Sequence, residues 1–365
     1  MKSNSCVREE ILSMYSASSI DRIEVKNCMS DTYSNDLKND VLKGLTATQK
    51  YIPSKYFYDT YGSRLFEEIS LLPEYYVTHT ELSILQDTAS AIIENFPEGD
   101  LIELGSGANV KIKTLLDIAY KSYLADIRYV SVDVSEALLV KALKELVTIY
   151  PDLRVLGIVA DFTKHMKEIP LDRNKVFIFF GSTIGNFTEK ESIVFLKNIA
   201  RFMGPNDRFL LGLDMVKPKE ILELAYNDPP GITSKFNKNI LSVVNRELDA
   251  NFHRDHFDHV AFFNGGKNQI EMHLRANRTV SVKIKKLDLT VEIEKDETIR
   301  TEISRKFRRE SAEKMVDEAG LRINRWFSDP QGWFSLVELK KSTSYLWKEH
   351  LRTQIAQRKA KRVKG

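Results

Sequence analysis

Small, acidic and aromatic residues follow three successive strand-like runs of this 365-residue sequence. Gly105 and Gly107 come directly after the first run. Asp133 closes the second run, and Asp161 with Phe162 closes the third. Two glycines allow close approach of the backbone to a ligand, a carboxylate can accept from ribose hydroxyls, and an acid beside an aromatic ring suits an adenine. A tight turn or a helix N-terminal acid explains any one of these features, but together they favour an adenosine cofactor.

The glycine loop distinguishes between two adenosine cofactors. It does not complete the pattern Gly-x-Gly-x-x-Gly, because Val110 occupies the third position. NAD enzymes usually need the complete pattern to place the pyrophosphate on the helix N-terminus. S-adenosylmethionine (SAM) carries no phosphate, so the sequence favours SAM.

A fourth strand-like run ends in a glycine-rich turn that carries Asn186. This turn is where the methyl group of SAM would be presented. A neutral amide can bind an amine or a carboxylate without fixing a charge. An asparagine in a turn is also common without any binding role, so Asn186 alone decides nothing.

The segment 299–307, "IRTEISRKF", has the alternation of a strand. Its spacing predicts that Arg300, Glu302, Ser304 and Lys306 share one face. These side chains either face water or converge on a small polar ligand, and the segment alone leaves both possibilities open.

The elements that must position these residues alternate between strand and helix. Strand-like runs occur at 100–104, 127–134, 154–161, 175–182 and 208–216. Repeated β–α units predict a parallel, doubly wound α/β sheet of Rossmann-like type with helices on both faces. In such a sheet, ligands bind beyond the carboxyl ends of the strands.

The alternation stops after residue 216, and antiparallel strand patterns follow before the α/β pattern returns. We therefore expect an inserted α+β subdomain that binds the substrate. The predicted units are a poorly ordered leader 1–37, helices plus core 38–216, the insertion 217–295 (with parts of 38–80 and 296–310), the end of the core 296–345 and a basic tail 346–365.

Composition and charge exclude several classes of protein. Net charge is +3, but residues 348–364 hold seven Lys or Arg and one Glu, or +6, so the rest of the chain carries about −3. A body without a basic bias argues against nucleic acid as partner. No apolar run is long enough for a membrane span and the N-terminus lacks a secretory pattern, so we expect a cytoplasmic protein.

Metal binding is not expected either. The two cysteines, Cys6 and Cys28, both lie in the leader, which excludes a cysteine-based zinc site in the body of the protein. The segment "HRDHFDH" contains His253, His256 and His259. Its spacing matches no standard metal site, so we assign no metal.

Several long segments together resemble one family, the histidine Nα-methyltransferases of ergothioneine biosynthesis. The resemblance covers about residues 38–340. The segments that carry it are "KYFYDTYGSRLFEEISLLPEYYVTHTE", "ELGSGANVK", "YVSVDVSEALL", "VADFT", "GSTIGNF", "AYNDPPGITSKFNKNIL", "NRELDANF" and "IRTEISRKF".

The resemblance implies a class I SAM-dependent methyltransferase fold. It also implies a reaction in which SAM donates three methyl groups to the α-amine of L-histidine, giving the betaine hercynine. Residues expected at the SAM site are Tyr58, Gly105, Gly107, Lys111, Asp133, Asp161 and Phe162. Residues expected at the substrate are Tyr75 and Tyr226 for the carboxylate, Asn186 for the α-amine, Thr233, Phe236 and Met272 as pocket walls, and Glu302 and Ser304 for the two imidazole nitrogens. Asn186 and Tyr58 are the candidate catalytic residues.

The substrate is not fixed by the fold, because relatives in this family methylate a prenylated tryptophan. Imidazole can both donate and accept, whereas indole has one donor and no acceptor. The presence of Glu302, Ser304 and Met272 favours histidine. A relative acting on another amine, and a SAM-binding module for RNA or protein, are the alternatives. The sequence leaves the proton acceptor open between a tyrosine and water, and we expect a monomer.

Overall fold

The strand-like runs form the centre of one eight-stranded sheet. The computed structural model describes residues 22–29, 33–94, 96, 98–107, 109–120 and 126–342. The strands are β1 Ile23–Asn27, β2 Gly99–Leu104, β3 Ile127–Asp133, β4 Arg154–Val159, β5 Lys175–Phe179, β6 Arg208–Asp214, β7 Phe257–Asn264, β8 Gln269–Ala276, β9 Val280–Ile284, β10 Leu289–Ile293, β11 Thr298–Arg305, β12 Leu321–Ser328 and β13 Phe334–Lys341.

Helices connect these strands and cover them. In chain order the α-helices are α1 Tyr33–Leu45, α2 Thr60–Ser70, α3 Tyr76–Ile93, α4 Val110–Tyr120, α5 Glu136–Ile149, α6 Glu189–Phe202, α7 Lys219–Leu224, α8 Ile232–Leu248 and α9 Arg309–Glu318.

The large sheet has the order β1-β4-β3-β2-β5-β6-β13-β12. All neighbouring strands from β1 to β6 pair in parallel, and β13 runs antiparallel to both β6 and β12. The strand order reverses direction between β2 and β5, which is the switch point where an α/β sheet binds its ligand. The predicted Rossmann-like α/β architecture is confirmed.

Two apolar cores lie on the two faces of this sheet. Helices α3, α4 and α5 contribute to one core, and α6 and α9 contribute to the other. Strands β2, β5 and β6 are buried at every residue, as strands covered on both faces must be. Among the described residues, no helix combines the length and the apolar character that crossing a membrane requires.

The sequence predicts a poorly ordered leader over 1–37, and for its described residues this prediction is wrong. Strand β1 pairs in parallel with β4 and extends the sheet at that edge, and α1 begins at Tyr33. The free edge of β4 supplies backbone hydrogen bonds that a sequence pattern does not reveal. Only Ile23 and Val25 are apolar in β1, which is too weak an alternation to predict a strand.

The region after β6 adds two smaller antiparallel sheets. One has the order β11-β8-β7, and the other is the β9–β10 hairpin. Strands β7 to β10 lie within the predicted insertion 217–295, and β11 lies just beyond it. The assignment of this region to substrate binding stays a prediction.

Strand β11 contains a bulge that changes which side chains share a face. Arg300 pairs with His273, and Glu302 pairs with the adjacent Met272, so Thr301 is the extra residue. The Thr301 hydroxyl donates to Asn237 Oδ1 at 2.6 Å. Arg300 therefore points away from Glu302, and its predicted place on the same face is wrong.

The end of β11 is joined to the end of β6 by backbone hydrogen bonds. Phe307 N–H donates to the carbonyl of Asp214 at 2.8 Å, and Val216 N–H donates to the carbonyl of Phe307 at 2.9 Å. These bonds place the segment that carries Glu302 and Ser304 at the carboxyl edge of the large sheet.

A first prediction concerns Gly212 of β6, against which α3 packs. A Cβ at this position would lie 2.3 Å from Glu81 Oε1 and 3.0 Å from the Phe334 ring. Glu81 cannot easily move, because its carboxylate accepts from Lys111 Nζ and from Gly181 N–H. Gly212→Ala should lower the free energy of unfolding by about 1–3 kcal/mol in urea titrations, as overpacking does.

The control for this prediction is Gly266→Ala in the β7–β8 turn. The nearest atom to a Cβ there is Asn264 Oδ1 at 3.5 Å, an ordinary contact. This variant should stay within about 0.5 kcal/mol of the parent. Equal effects of the two substitutions would show that Gly212 is not constrained by Glu81.

Candidate active site

The loop after β2 and the end of β3 meet at a carboxylate. Gly105 and Gly107 have φ angles of 69° and 51°, a region that glycine enters without strain. Gly107 N–H donates to Asp133 Oδ2 at 3.2 Å, and Ser135 N–H donates to Oδ1 at 2.9 Å. Each oxygen of Asp133 keeps a lone pair, so the carboxylate can still accept from a diol.

The end of β4 lies beside the same loop. A Cβ on Gly105 would be 3.5 Å from the Phe162 ring, so the glycine leaves room next to an aromatic side chain. The Phe162 ring is fixed edge-on by Phe179, at 5.3 Å between ring centroids. Asp161 is buried, and its Oδ1 accepts from Thr163 N–H at 2.9 Å. The three strand ends are thus neighbours, as the sequence predicts.

Lys111 is paired with a residue that the sequence analysis missed. Its ammonium lies 2.6 Å from Glu81 Oε2, and the Glu81 side chain is fully buried in α3. Glu81 also accepts from Gly181 N–H at 2.8 Å. One carboxylate therefore fixes both Lys111 and the turn after β5.

The turn after β5 holds Asn186 against the inserted strands. Ser182 has a φ of 54°, and its hydroxyl accepts from Asp214 N–H at 2.9 Å, which stabilises this left-handed conformation. Gly185 lies so close to the backbone of Arg305 that a Cβ would be 2.8 Å from its carbonyl oxygen. The Asn186 amide has no side-chain partner among the described residues and remains available for a ligand.

Five aromatic side chains pack against one another in this part of the site: Tyr58, Phe66, Tyr75, Tyr226 and Phe236. The Tyr58 ring lies 5.7 Å from Phe236 of α8, and the Tyr75 ring lies 6.3 Å from Tyr226. Phe66 of α2 links the two groups, at 5.7 Å from Tyr58 and 6.2 Å from Tyr75. Phe66 was missed, although it lies within a segment that carries the family resemblance.

Tyr58 lies within range of the charges of both Glu302 and Asp133. Burial raises the pKa of its phenol first of all, and the negative charges of Glu302 and Asp133 raise it further. Burial also raises the pKa values of Tyr75 and Tyr226. All three side chains are therefore neutral phenols at physiological pH.

Glu302 and Ser304 lie on β11, close to the tyrosines of the site. Glu302 is opposite Met272 in the sheet register, and Ser304 is opposite Ile270. The Glu302 carboxylate has no hydrogen-bond partner in the part of the chain that the structure describes. Burial raises its pKa to about 7, and the nearby Lys306 partly offsets this. An unpaired, partly buried carboxylate is costly unless a ligand completes it.

Ser304 is linked to Tyr226 and to a buried lysine. Tyr226 Oη and Ser304 Oγ are 2.9 Å apart, and Lys306 Nζ donates to both. Lys306 also pairs with Asp214 at 2.7 Å. No sequence pattern indicates a role for Lys306 or Asp214, because their contact spans 92 residues of chain.

Thr233 lies in the first turn of α8, within the predicted insertion. Asp228 accepts from Ile232 N–H at 2.7 Å and from Thr233 N–H at 2.8 Å, which caps this helix. The Thr233 hydroxyl is buried and makes no hydrogen bond within the distance and angle limits of a normal one. Burial raises the pKa of the Asp228 carboxyl, but the neighbouring Thr233 hydroxyl and the two N–H donors bring it below its usual value.

The histidine-rich segment is explained by packing. His259 Nε2 bonds to the carbonyl of Tyr226 at 2.8 Å, and its Nδ1 bonds to Asn237. Burial lowers the pKa of His259. Among the described residues, no group of three His, Cys, Asp or Glu side chains could hold a metal ion.

These contacts bring the predicted residues together as one site at the switch point, and the residues present fit SAM. A glycine loop without a third glycine, a carboxylate at the end of β3 and an aromatic ring beside the loop are in place. A family model described as "Histidine-specific methyltransferase, SAM-dependent" matches residues 37–341. The chain belongs to this family.

Curated relatives agree with the family assignment. A protein from Mycolicibacterium smegmatis named histidine N-alpha-methyltransferase is 41% identical over 307 residues, which is 84% of this chain and 95% of the relative. One of the same name from Mycobacterium tuberculosis is 40% identical over 86% of this chain and 98% of the relative. Ergothioneine biosynthesis protein 1 of Schizosaccharomyces pombe is 34% identical over 63% of this chain, but this region is only 31% of that relative.

A second prediction follows from the environment of Glu302. A glutamate in water has a pKa of 4.5, whereas that of Glu302 is about 7 in the folded protein, so the folded protein binds more protons than the unfolded chain between these values. The contribution of Glu302 to stability must therefore fall as pH rises through this window and level off above it. Relative to Glu302→Gln, the ligand-free parent should lose about 3 kcal/mol between pH 4.5 and pH 8.

Urea titrations of the parent and of Glu302→Gln across this pH range measure the effect as a difference between the two curves. Glu292→Gln on β10, an exposed position, is the matched control and is measured in the same way. A difference for Glu302→Gln that does not change with pH would mean that its carboxylate is solvated in the folded state.

Proposed function

We propose that this protein transfers three methyl groups in succession from SAM to the α-amine of L-histidine, giving hercynine, the first step of ergothioneine biosynthesis. The observation that carries this proposal is the pair formed by Glu302 and Ser304. A carboxylate without a partner and a hydroxyl, two residues apart on one strand, offer an acceptor and a donor to a small ring.

The polar groups of the site match the parts of the substrate. Glu302 and Ser304 take the two imidazole nitrogens, and Met272 packs against the ring from the neighbouring strand. Tyr75 and Tyr226 bind the carboxylate, and Thr233 and Phe236 close the pocket from α8. Asn186 binds the α-amine from the turn after β5, which directs it toward the SAM side.

The cofactor side is supplied by the strand ends of the large sheet. We assign Asp133 to the ribose, Asp161 and Phe162 to the adenine, and Lys111 to the carboxylate of SAM. Gly105 and Gly107 let the backbone approach the cofactor closely. SAM, when bound, supplies an electrophilic methyl group on its sulfonium.

The protein contributes position and electrostatics to an in-line displacement. Asn186 holds the amine with its lone pair directed at the methyl group, and Tyr58 lies at the junction between cofactor and substrate. The amine must lose a proton before it attacks. Because the buried tyrosines remain neutral phenols, we assign the proton to water rather than to a tyrosine.

Successive methylation needs a site that accepts a growing and finally quaternary nitrogen. Tyr58 and Tyr75 have no side-chain hydrogen bonds to other described residues, so their rings can face a cation. Phe66 and Phe236 support both rings through edge contacts. An aromatic wall stabilises a cation that keeps no N–H donor.

The alternative substrate, a tryptophan derivative, suits this pocket less well. An indole offers one donor and no acceptor, so the Ser304 hydroxyl would find no acceptor for its proton on the substrate. Buried polar groups left unpaired reject such an analogue strongly. A small polar pocket also implies a small-molecule substrate, and we place the reaction in the cytoplasm with the protein acting as a monomer.

The direct test is incubation with SAM and each of the standard amino acids separately, followed by mass spectrometry. We expect the mass increase of three methyl groups on L-histidine, located on the α-amine by fragmentation. Turnover of another amino acid with no histidine product would overturn the proposal in favour of the alternative.

A third prediction addresses the imidazole contact. Glu302→Ala should weaken L-histidine binding about 10- to 100-fold, since a hydrogen bond to a charged group is lost in a partly buried site. SAM binding should change less than about 2-fold, because Glu302 lies on the inserted sheet. Isothermal titration with each ligand separates the two effects.

The matched control is Glu292→Ala, an exposed glutamate in the same inserted region. It should leave both affinities unaltered. Loss of SAM binding in Glu302→Ala would mean that this residue belongs to the cofactor side of the site.

A further inference from the structure

Lys306 is a fully buried lysine that contacts two substrate-side hydroxyls at once. Its side chain has 0% exposure. Its ammonium lies 2.8 Å from Ser304 Oγ, 3.1 Å from Tyr226 Oη and 2.7 Å from Asp214 Oδ2. These three contacts use all three of its N–H donors.

An ammonium group can donate but never accept. Ser304 and Tyr226 must therefore each use a lone pair toward Lys306, and each keeps its own proton for another acceptor. In the ligand-free site the two hydroxyls are 2.9 Å apart, so one proton is shared between them. A ligand with two acceptors can take up both protons.

We propose that Lys306 is a positioning residue that fixes Ser304 and Tyr226 as hydrogen-bond donors toward the substrate. This inference rests on the proposed function and deepens it. Ser304 then donates to the acceptor nitrogen of the imidazole, Tyr226 donates to the carboxylate, and Glu302 accepts from the remaining N–H. The site thereby selects one neutral tautomer of the histidine ring and rejects rings that lack an acceptor.

The Asp214 carboxylate keeps Lys306 in place. Asp214 accepts from Tyr76 Oη at 2.8 Å and pairs with both Lys306 and Lys217. One carboxylate and two ammonium groups carry a net charge of +1, next to the place assigned to the substrate carboxylate. The Tyr226 hydroxyl and the net positive charge thus both favour binding of the substrate carboxylate.

Lys217 provides a matched control for charge. It binds Asp214, Tyr76 Oη at 2.9 Å and the carbonyl of Met215, but neither Ser304 nor Tyr226. Lys306→Met and Lys217→Met each remove one positive charge from the same carboxylate, and each leaves Asp214 with one lysine. Only Lys306→Met removes the donor from the two hydroxyls.

The experiment measures L-histidine binding by calorimetry in the presence of S-adenosylhomocysteine, and steady-state kinetics with SAM. Lys306→Met should raise the Kd and KM for histidine about 10-fold or more, with kcat reduced much less, because the contacts that Lys306 supports bind the ring and the carboxylate and not the reacting nitrogen itself. Lys217→Met should stay within about 3-fold of the parent in Kd.

A second readout tests the donor role itself. β-(2-Thienyl)-L-alanine has a five-membered ring with no N–H and only a weak acceptor. Its Kd should rise less than that of histidine in Lys306→Met, because the analogue keeps only the carboxylate contact through Tyr226, so the preference for histidine should fall about 3-fold or more in the variant. Binding of S-adenosylhomocysteine and the melting temperature report whether each variant is folded.

The outcomes distinguish the inference from the proposed function. If the parent neither binds nor methylates histidine, the proposed function fails. If the parent does so but the two variants weaken histidine equally, the effect is one of charge and the positioning role is overturned; unchanged binding in Lys306→Met also overturns it. If Lys306→Met does not fold, Lys306→Arg decides: it keeps the charge and should still weaken histidine about 5-fold or more, whereas parent-like affinity overturns the inference.

Discussion

Asp214 joins the carboxyl edge of the large sheet, where the proposed SAM site lies (the cofactor half), to β11 and the inserted strands, where the proposed substrate site lies (the substrate half). Its carbonyl accepts from Phe307 N–H and its N–H donates to Ser182, so its backbone ties β11 and the Asn186 turn to the end of β6. Its carboxylate holds Lys217 and Lys306. The nearby positive charges hold the pKa of Asp214 below its usual value although burial alone would raise it. Loss of this carboxylate would leave two buried ammonium groups without their partner.

A buried charged cluster of this kind is weak evidence for stability, because desolvation offsets most of the attraction. The cluster instead determines which neighbouring groups donate hydrogen bonds and which accept them. Burial lowers the pKa of Lys217 to about 8, whereas Asp214 raises that of Lys306 above its ordinary value. Lys306, which contacts the hydroxyls of Ser304 and Tyr226, is therefore the more firmly protonated of the two lysines.

The cofactor half could be predicted from the sequence because its chemistry is local. Gly105, Asp133 and Asp161 each follow an apolar run within one or two residues, and parallel strands bring their carboxyl ends to one edge. Glu81 and Lys306 could not be predicted in this way, since their partners lie 30 and 92 residues away in the chain. Strand β1 was missed for a related reason, because an edge pairing with β4 stabilises a segment that has little apolar character.

The substrate half depends on a deviation from regular structure. A strictly alternating β11 would place Arg300 beside Glu302, and a guanidinium there would pair with the carboxylate and occupy the imidazole site. The bulge at Thr301, held by Asn237 and the carbonyl of Met272, turns Arg300 to the opposite face. Glu302 is thereby left without a cationic partner in direct contact, which keeps its carboxylate available for the substrate and raises its pKa. The proposed recognition of the ring thus depends on one extra residue in a strand, a feature that two-residue periodicity does not predict.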